Sequence, residues 1–198
     1  MSHTDELRER ICRRYKEAGA DKYPTRISPY IFDDNSEKRV AVYARFASPP
    51  LHDSDYELPK RYYSDMISTH PRWECAGFYF DSAPANAYRP EFERMLADCR
   101  AGKIDLIITK SISRFMRDIV KGLSALKELA ELSLPVGVYF ENESVYSLNS
   151  SHFSCLNMVA KMAVKESEQK GGRRPYYMKS AGEIVLNNNQ HGGKNESE

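Results

Sequence analysis

The stretch DCRAGKIDLIITKSISRFMR, residues 98–117, decides the fold, because it joins the end of a helix to a buried strand and then to a basic loop. It completes a helical pattern that begins at Pro90, a residue type favoured in a first helical turn, and stops at Gly102. The run IDLIITK, residues 104–110, is strongly apolar, as are strands covered on both faces of a parallel sheet. A helix followed directly by such a strand predicts an α/β fold.

The same alternation continues on both sides of this stretch. Strands are predicted at residues 40–46, 74–80, 104–110 and 134–142, and helices at residues 55–70, 89–103, 118–133 and 151–170. Strands that alternate with helices pair in parallel, because each helix carries the chain back to the starting edge of the sheet. We therefore expect a mostly parallel sheet of four to five strands, flanked by helices, with a long C-terminal helix.

The two ends of the chain differ in composition from this α/β region. Residues 5–18 predict a short charged helix whose few apolar positions would dock only weakly. Residues 20–38 predict an extended connector, and the glycine- and asparagine-rich end predicts a flexible polar tail with one brief strand at EIVL. The expected units are an N-terminal helix and connector at 1–38, a catalytic-type domain at 39–170, and the tail at 171–198.

Composition argues against several kinds of function. The formal net charge is +1, so binding to nucleic acid would depend on a local basic patch. The four cysteines stand singly, which predicts free thiols in a reducing, cytoplasmic setting and no zinc site. The sequence has no Walker loop, no GxGxxG motif and no run of membrane-spanning length. We therefore expect no cofactor, no metal and no association with a membrane.

Arginines and hydroxyl side chains follow the predicted strands, at the edge where parallel sheets bind ligands. Arg45 lies near the end of the first strand, and Arg89 lies in the loop after the second. The third strand is followed by Ser113, Arg114 and Arg117. Guanidinium groups that converge at one edge suit a phosphate, because each can donate two parallel hydrogen bonds. The alternative is that these arginines are unrelated surface residues.

VAVYARF, residues 40–46, followed by RPEFERMLADCRAGKIDLIITKSISRFMRD, residues 89–118, resembles the catalytic domain of the serine recombinases, the resolvases and invertases. The likeness is greatest to the large serine recombinases of phages and mobile elements and covers roughly 39–170. It implies a resolvase-like fold and a two-step phosphoryl transfer without metal or cofactor. A serine attacks the DNA backbone, a 5′-phosphoserine link forms, and a tetramer exchanges and rejoins the strands. Arginines would neutralise the charge on the reacting phosphate.

The resemblance also implies a set of site residues. Arginines of the family are matched by Arg45, Arg89, Arg114 and Arg117. Ser113 stands where large recombinases commonly have serine and small resolvases have aspartate. Glu166 matches a glutamate on the long helix, which carries the subunit contacts in the family.

The chain departs from the family at the nucleophile. The family's YARVST is YARFAS here, so Ala47 occupies the serine's position. Ser48 comes one residue later, and on a strand it would face away from Arg45. Pro49 and Pro50 restrict any rearrangement that would turn Ser48 inward. In the family a DNA-binding module follows the catalytic domain, and we expect residues 171–198 to contain no helix-turn-helix, recombinase domain or zinc ribbon.

Three hypotheses follow from these departures. The chain is an active site-specific DNA recombinase that uses Ser48, or a degenerate domain that binds phosphate or DNA and regulates a full-length recombinase, or a remnant of a mobile element. Binding to DNA is expected to be weak and sensitive to salt in each case. The apolar stripe of residues 150–170 predicts a homodimer or a hetero-oligomer with a full-length recombinase, unless this helix packs only against its own domain.

Overall fold

The computed structural model of the protein describes residues 3–19, 36–46, 54–82, 88–116, 119–149, 176–180 and 183–186. Its helices are α1 His3–Glu17, α2 Ser54–Ser68, α3 Pro90–Arg100, α4 Ile112–Phe115 and α5 Ile119–Glu131. Its strands are β1 Lys38–Phe46, β2 Trp73–Ser82, β3 Leu106–Thr109, β4 Gly137–Phe140, β5 Val145–Tyr146, β6 Tyr176–Ser180 and β7 Glu183–Leu186. None of these helices is long and apolar enough to cross a membrane.

The main sheet has five strands in the order β2-β1-β3-β4-β5. The first three pairings are parallel, and only β5 runs antiparallel to its neighbour β4. The predicted α/β class and the mostly parallel sheet of four to five strands are therefore confirmed. The long C-terminal helix predicted at 151–170 lies outside the described residues.

The two faces of the sheet bury separate apolar clusters. Along β1, Ala41 and Tyr43 belong to a cluster that includes residues of α3, α4 and α5, whereas Val40 and Val42 belong to a cluster that includes residues of α2. All four side chains are fully buried, as the alternation of a strand inside a two-sided sheet requires. Because β1 pairs in parallel with β2 and β3, its last residues lie beside the carboxyl ends of both strands.

Helix α1 packs against α2 more closely than its few apolar positions predict. Ile11 and Tyr15 are both buried, and the Tyr15 hydroxyl donates to Asp65 on α2 at 3.0 Å. Arg14 also pairs with Asp65, and Arg8 donates to the main-chain oxygen of Thr69 at 2.9 Å. Polar contacts thus supplement a small apolar face.

A small second sheet lies near the end of the chain. Strands β6 and β7 pair in antiparallel fashion. The sequence predicts only β7, the EIVL segment. The remainder of the predicted tail is not among the described residues, and the boundaries proposed for the three units stay a prediction.

Candidate functional site

Arg45 and Arg114 meet at the carboxyl edge of the sheet. Arg45 is the last but one residue of β1, and Arg114 lies on α4, which follows the neighbouring parallel strand β3. Nη1 of Arg114 donates to the main-chain oxygen of Arg45 at 2.7 Å. The side chain of Arg45 is itself buried. Parallel pairing of β1 and β3 therefore brings two arginines together that are 69 positions apart in the chain.

Arg89, at the start of α3, is hydrogen-bonded to residues at the same edge of the sheet. It directly precedes α3, and its Nε donates to the hydroxyl of Tyr43 at 2.9 Å. Its Nη1 donates to the main-chain oxygen of Phe115, next to Arg114, at 3.1 Å. The guanidinium lies over the ring of Phe92, with 3.7 Å between Cζ and the ring centroid. Such contacts hold a guanidinium in one orientation.

One donor of Arg89 remains available. Its Nη2 is buried and has no hydrogen-bond partner among the described residues. A buried guanidinium donor without a partner is costly, and native structures rarely retain one without a reason. An anion at this edge of the sheet would satisfy it.

Tyr43 and Asp81 form a buried network behind Arg89 that sequence reasoning missed. The Tyr43 hydroxyl donates to Asp81 Oδ2 at 3.0 Å while it accepts from Arg89. Asp81 also accepts from the main-chain N–H groups of Glu91 and Phe92, at 3.0 and 3.1 Å, and so caps α3. Burial raises the pKa of Tyr43, although the charge of Arg89 opposes this. In the sequence, the carboxylate of Asp81 directly after the apolar run FYF could have indicated a polar role at this strand end.

Ser113 lies on α4 beside Arg114 and is exposed. Its Oγ is 3.2 Å from Oγ of Ser111, which is buried just before the helix. The main-chain N–H of Ile112 donates to Glu143 at 3.2 Å. Ser113 therefore shares a short helix with Arg114, and among the described residues it forms no hydrogen bond to an arginine side chain.

The remaining candidates cannot be placed. Ala47, Ser48, Arg117 and Glu166 lie outside the described residues. Arg114 is thus bonded to the main chain of Arg45, and Arg89 to the main chain of Phe115, the residue after Arg114. The participation of the three arginines in catalysis stays a prediction. Among the described residues, no group of three or more His, Cys, Asp or Glu side chains is arranged to hold a metal ion.

A cavity of about 390 Å³ opens beside Arg45 and Arg114. Arg45 and Arg114 line it together with Lys110, and Tyr15 of α1 and Tyr62 of α2 line it as well. We call it the Tyr15 pocket. It extends the arginine site toward α1 and α2.

A comparison with protein families identifies the domain. The model of the family described as "Resolvase, N terminal domain" matches residues 40–183. The chain belongs to the resolvase family. Helix α1 precedes the residues that match. A resolvase-type catalytic domain supports a function in site-specific recombination.

Two solved structures are similar to this resolvase-family chain. The N-terminal catalytic domain of TP901-1 integrase is 18% identical, with a TM-score of 0.49, and the match covers 67% of this chain and 99% of that one. A resolvase family site-specific recombinase from Streptococcus pneumoniae is 20% identical, with a TM-score of 0.50, over 67% of this chain and 92% of that one. At this identity the second likeness shows the fold. No curated protein matches the chain.

Proposed function

We propose that this chain is a site-specific recombinase-type protein that binds a phosphate of the DNA backbone through Arg45, Arg89 and Arg114 but lacks its own nucleophile. The observation that carries the proposal is the buried Nη2 of Arg89, which has no hydrogen-bond partner among the described residues. It lies in a guanidinium already fixed at three points, so its direction is set before a ligand arrives.

A phosphate suits this arrangement for electrostatic reasons. Guanidinium groups donate in pairs to phosphate oxygens and keep their charge at any physiological pH. Donors that are fixed in advance stabilise the charge of a phosphoryl-transfer transition state, because they need no reorganisation as the charge develops. Burial of Arg45 and of Arg89 Nη2 strengthens this effect, since nearby water is excluded.

The residue at the nucleophile position is not a serine in this chain. The resemblance places the attacking hydroxyl at residue 47, which is alanine. Ser48 is displaced by one residue, and an error of about 1 Å already lowers the rate of an in-line attack by roughly a hundredfold. We therefore propose that the domain holds phosphate without forming the phosphoserine link.

Formation of a covalent adduct tests this proposal. The full chain is incubated with duplex DNA that carries the sequences flanking its gene, and denaturing electrophoresis detects protein linked to DNA. We expect no adduct from the natural chain and an adduct from Ala47→Ser. An adduct from the natural chain that disappears in Ser48→Ala would contradict the missing nucleophile. Binding of duplex DNA that is unchanged in Arg89→Gln would contradict the phosphate site.

A second candidate function is regulation of a full-length recombinase in the cytoplasm, by co-assembly as a hetero-oligomer or after homodimerisation. It is favoured by arginines that remain in place beside an alanine. Here the chain would occupy a subunit position without cleaving its own strand. Co-purification of the tagged chain with a recombinase encoded by the same genome tests this, and a partner that is recovered equally well without the chain would exclude it.

A further inference from the structure

The Tyr15 pocket combines two different kinds of lining. Its cations come from the carboxyl edge of the sheet, where Arg45, Lys110 and Arg114 all lie. Its aromatic and aliphatic lining comes largely from helices α1 and α2 and includes Tyr15, Leu58 and Tyr62. The volume of about 390 Å³ is within the range of pockets that bind small molecules. A ligand that fits must therefore carry an anionic group joined to a flat or apolar body.

We propose that the Tyr15 pocket binds one nucleotide, with its phosphate at the arginine end and its base against the aromatic side chains. This rests on the proposed function, because Arg45 and Arg114 belong to the phosphate site as well as to the pocket. Bases stack on aromatic side chains whatever their sequence, and arginine holds the adjoining phosphate. Beyond the two arginines, the pocket has space for one base.

Glu141 sets the direction in which the nucleotide lies. Its carboxylate lines the pocket and accepts hydrogen bonds from the hydroxyls of Tyr62 and Tyr63, at 2.6 and 3.0 Å. A carboxylate offers about four acceptor positions, so it retains capacity for the exocyclic amino group of a base. Its negative charge disfavours a phosphate next to the hydroxyls of Tyr62 and Tyr63. The phosphate is therefore placed against the guanidinium groups of Arg45 and Arg114.

Helix α1 completes the pocket from outside the family domain. Tyr15 is buried and meets the ring of Tyr62 edge-on, with 6.2 Å between the centroids. Its hydroxyl donates to Asp65 at 3.0 Å, which fixes the ring against α2. Because α1 precedes residues 40–183, this part of the lining lies outside the region that matches the family model.

An unpaired nucleotide in DNA and a free mononucleotide present the same chemistry. A base in an intact duplex cannot reach such a pocket, because it is stacked and paired. We expect DNA with one unpaired nucleotide to bind about tenfold more tightly than the fully paired duplex, which corresponds to one base stacked on an aromatic side chain. The pocket accounts for the preference for an unpaired nucleotide, whereas the phosphate site accounts for binding of the paired duplex.

Fluorescence anisotropy of the full chain tests the preference with two labelled duplexes, identical except for one unpaired 2-aminopurine. Quenching of the 2-aminopurine reports stacking. Leu58→Gln should lower the ratio of the two affinities roughly threefold, because it removes apolar lining at an exposed position and leaves the charge unchanged. Leu134→Gln is the matched control, since Leu134 is 65% exposed and Leu58 69%. It should change neither affinity.

The outcomes separate the pocket from the phosphate site. Tighter binding of the unpaired duplex, with quenching, supports a DNA nucleotide as the ligand. Competition by deoxyadenosine monophosphate without that preference supports a free nucleotide. Equal affinities, no quenching and no competition would overturn the pocket proposal while duplex binding by the arginines stands. Absence of binding to both duplexes would overturn the phosphate site and, with it, the pocket.

Discussion

Arg89 donates a hydrogen bond to the hydroxyl of Tyr43 at 2.9 Å, across 46 positions of the chain. Tyr43 is a fully buried residue of the central part of β1, and its hydroxyl donates in turn to Asp81. An arginine of the candidate site is therefore oriented by a side chain of the core. The orientation of Arg89 therefore depends in part on the folding of the sheet, through the Tyr43 hydroxyl.

Tyr43→Phe should weaken both stability and DNA binding. The substitution keeps the ring but removes a donor to Asp81 and an acceptor for Arg89. Loss of these bonds in a buried network should lower the free energy of unfolding by about 1 to 2 kcal/mol, measured by urea denaturation. The matched control is Tyr88→Phe, at a 75% exposed tyrosine, which should change stability by less than about 0.5 kcal/mol. Equal effects of the two substitutions would contradict the network.

Arg114→Gln should lower the affinity for DNA without regard to sequence. The substitution removes a cation and the hydrogen bond to the main-chain oxygen of Arg45. Removal of one phosphate contact should reduce the slope of log K against log salt concentration by about one. Titrations at several salt concentrations measure this slope. Arg100→Gln serves as control, because Arg100 is the last residue of α3 and lies away from the carboxyl edge of the sheet. If the slope falls as much in Arg100→Gln as in Arg114→Gln, the cause is a general loss of positive charge.

The parallel strands could be predicted from the sequence because short apolar runs alternate with amphipathic helical patterns. The two-residue strand β5 was too short to show a period, and α4 has only four residues. The arginines could be predicted because they lie at or after the ends of strands. The hydrogen bonds of Tyr43 could not be predicted, because a tyrosine in an apolar strand is typical of a core residue. Its partners, Asp81 and Arg89, lie elsewhere in the chain. The packing of α1 likewise depends on Asp65, a residue of α2.

Gly122→Ala should destabilise the protein, although alanine is the better helix former by about 1 kcal/mol. A Cβ at residue 122 of α5 would lie 2.8 Å from Cγ and 2.9 Å from Cα of Met116. The second contact is with the main chain, so the segment after α4 must move. We expect a net loss of about 1 to 3 kcal/mol in urea denaturation. DNA binding should weaken too, because Arg89 is bonded to the neighbouring Phe115.

Ser124→Ala is the control for this substitution. Ser124 is an exposed residue of the same helix, so alanine there should change stability only by its helix propensity, a gain of up to about 0.5 kcal/mol. If Gly122→Ala also stabilises the protein, then α5 and the segment at Met116 are not packed in the way described.

The pairing of Arg39 with Asp105 should make stability depend on pH. The guanidinium donates to both carboxylate oxygens, at 2.8 and 2.7 Å, and the main-chain N–H of Arg39 donates a third bond at 2.8 Å. Together they join the start of β1 to the residue before β3. Hydrogen bonds from the Arg39 side chain hold the pKa of Asp105 below its ordinary value, against the opposing effect of burial.

A carboxyl whose pKa is lower in the folded than in the unfolded state stabilises the fold above its unfolded pKa, which is about 3.9 for aspartate. That contribution is lost as the pH falls through the lower folded value. Urea midpoints measured between about pH 6 and pH 3 should therefore fall more steeply in the natural chain than in Asp105→Asn, where nothing titrates at this position. Glu9→Gln, at an exposed carboxylate of α1, should keep the natural slope. If Asp105→Asn keeps it too, the bonds from Arg39 do not favour the charged form of Asp105.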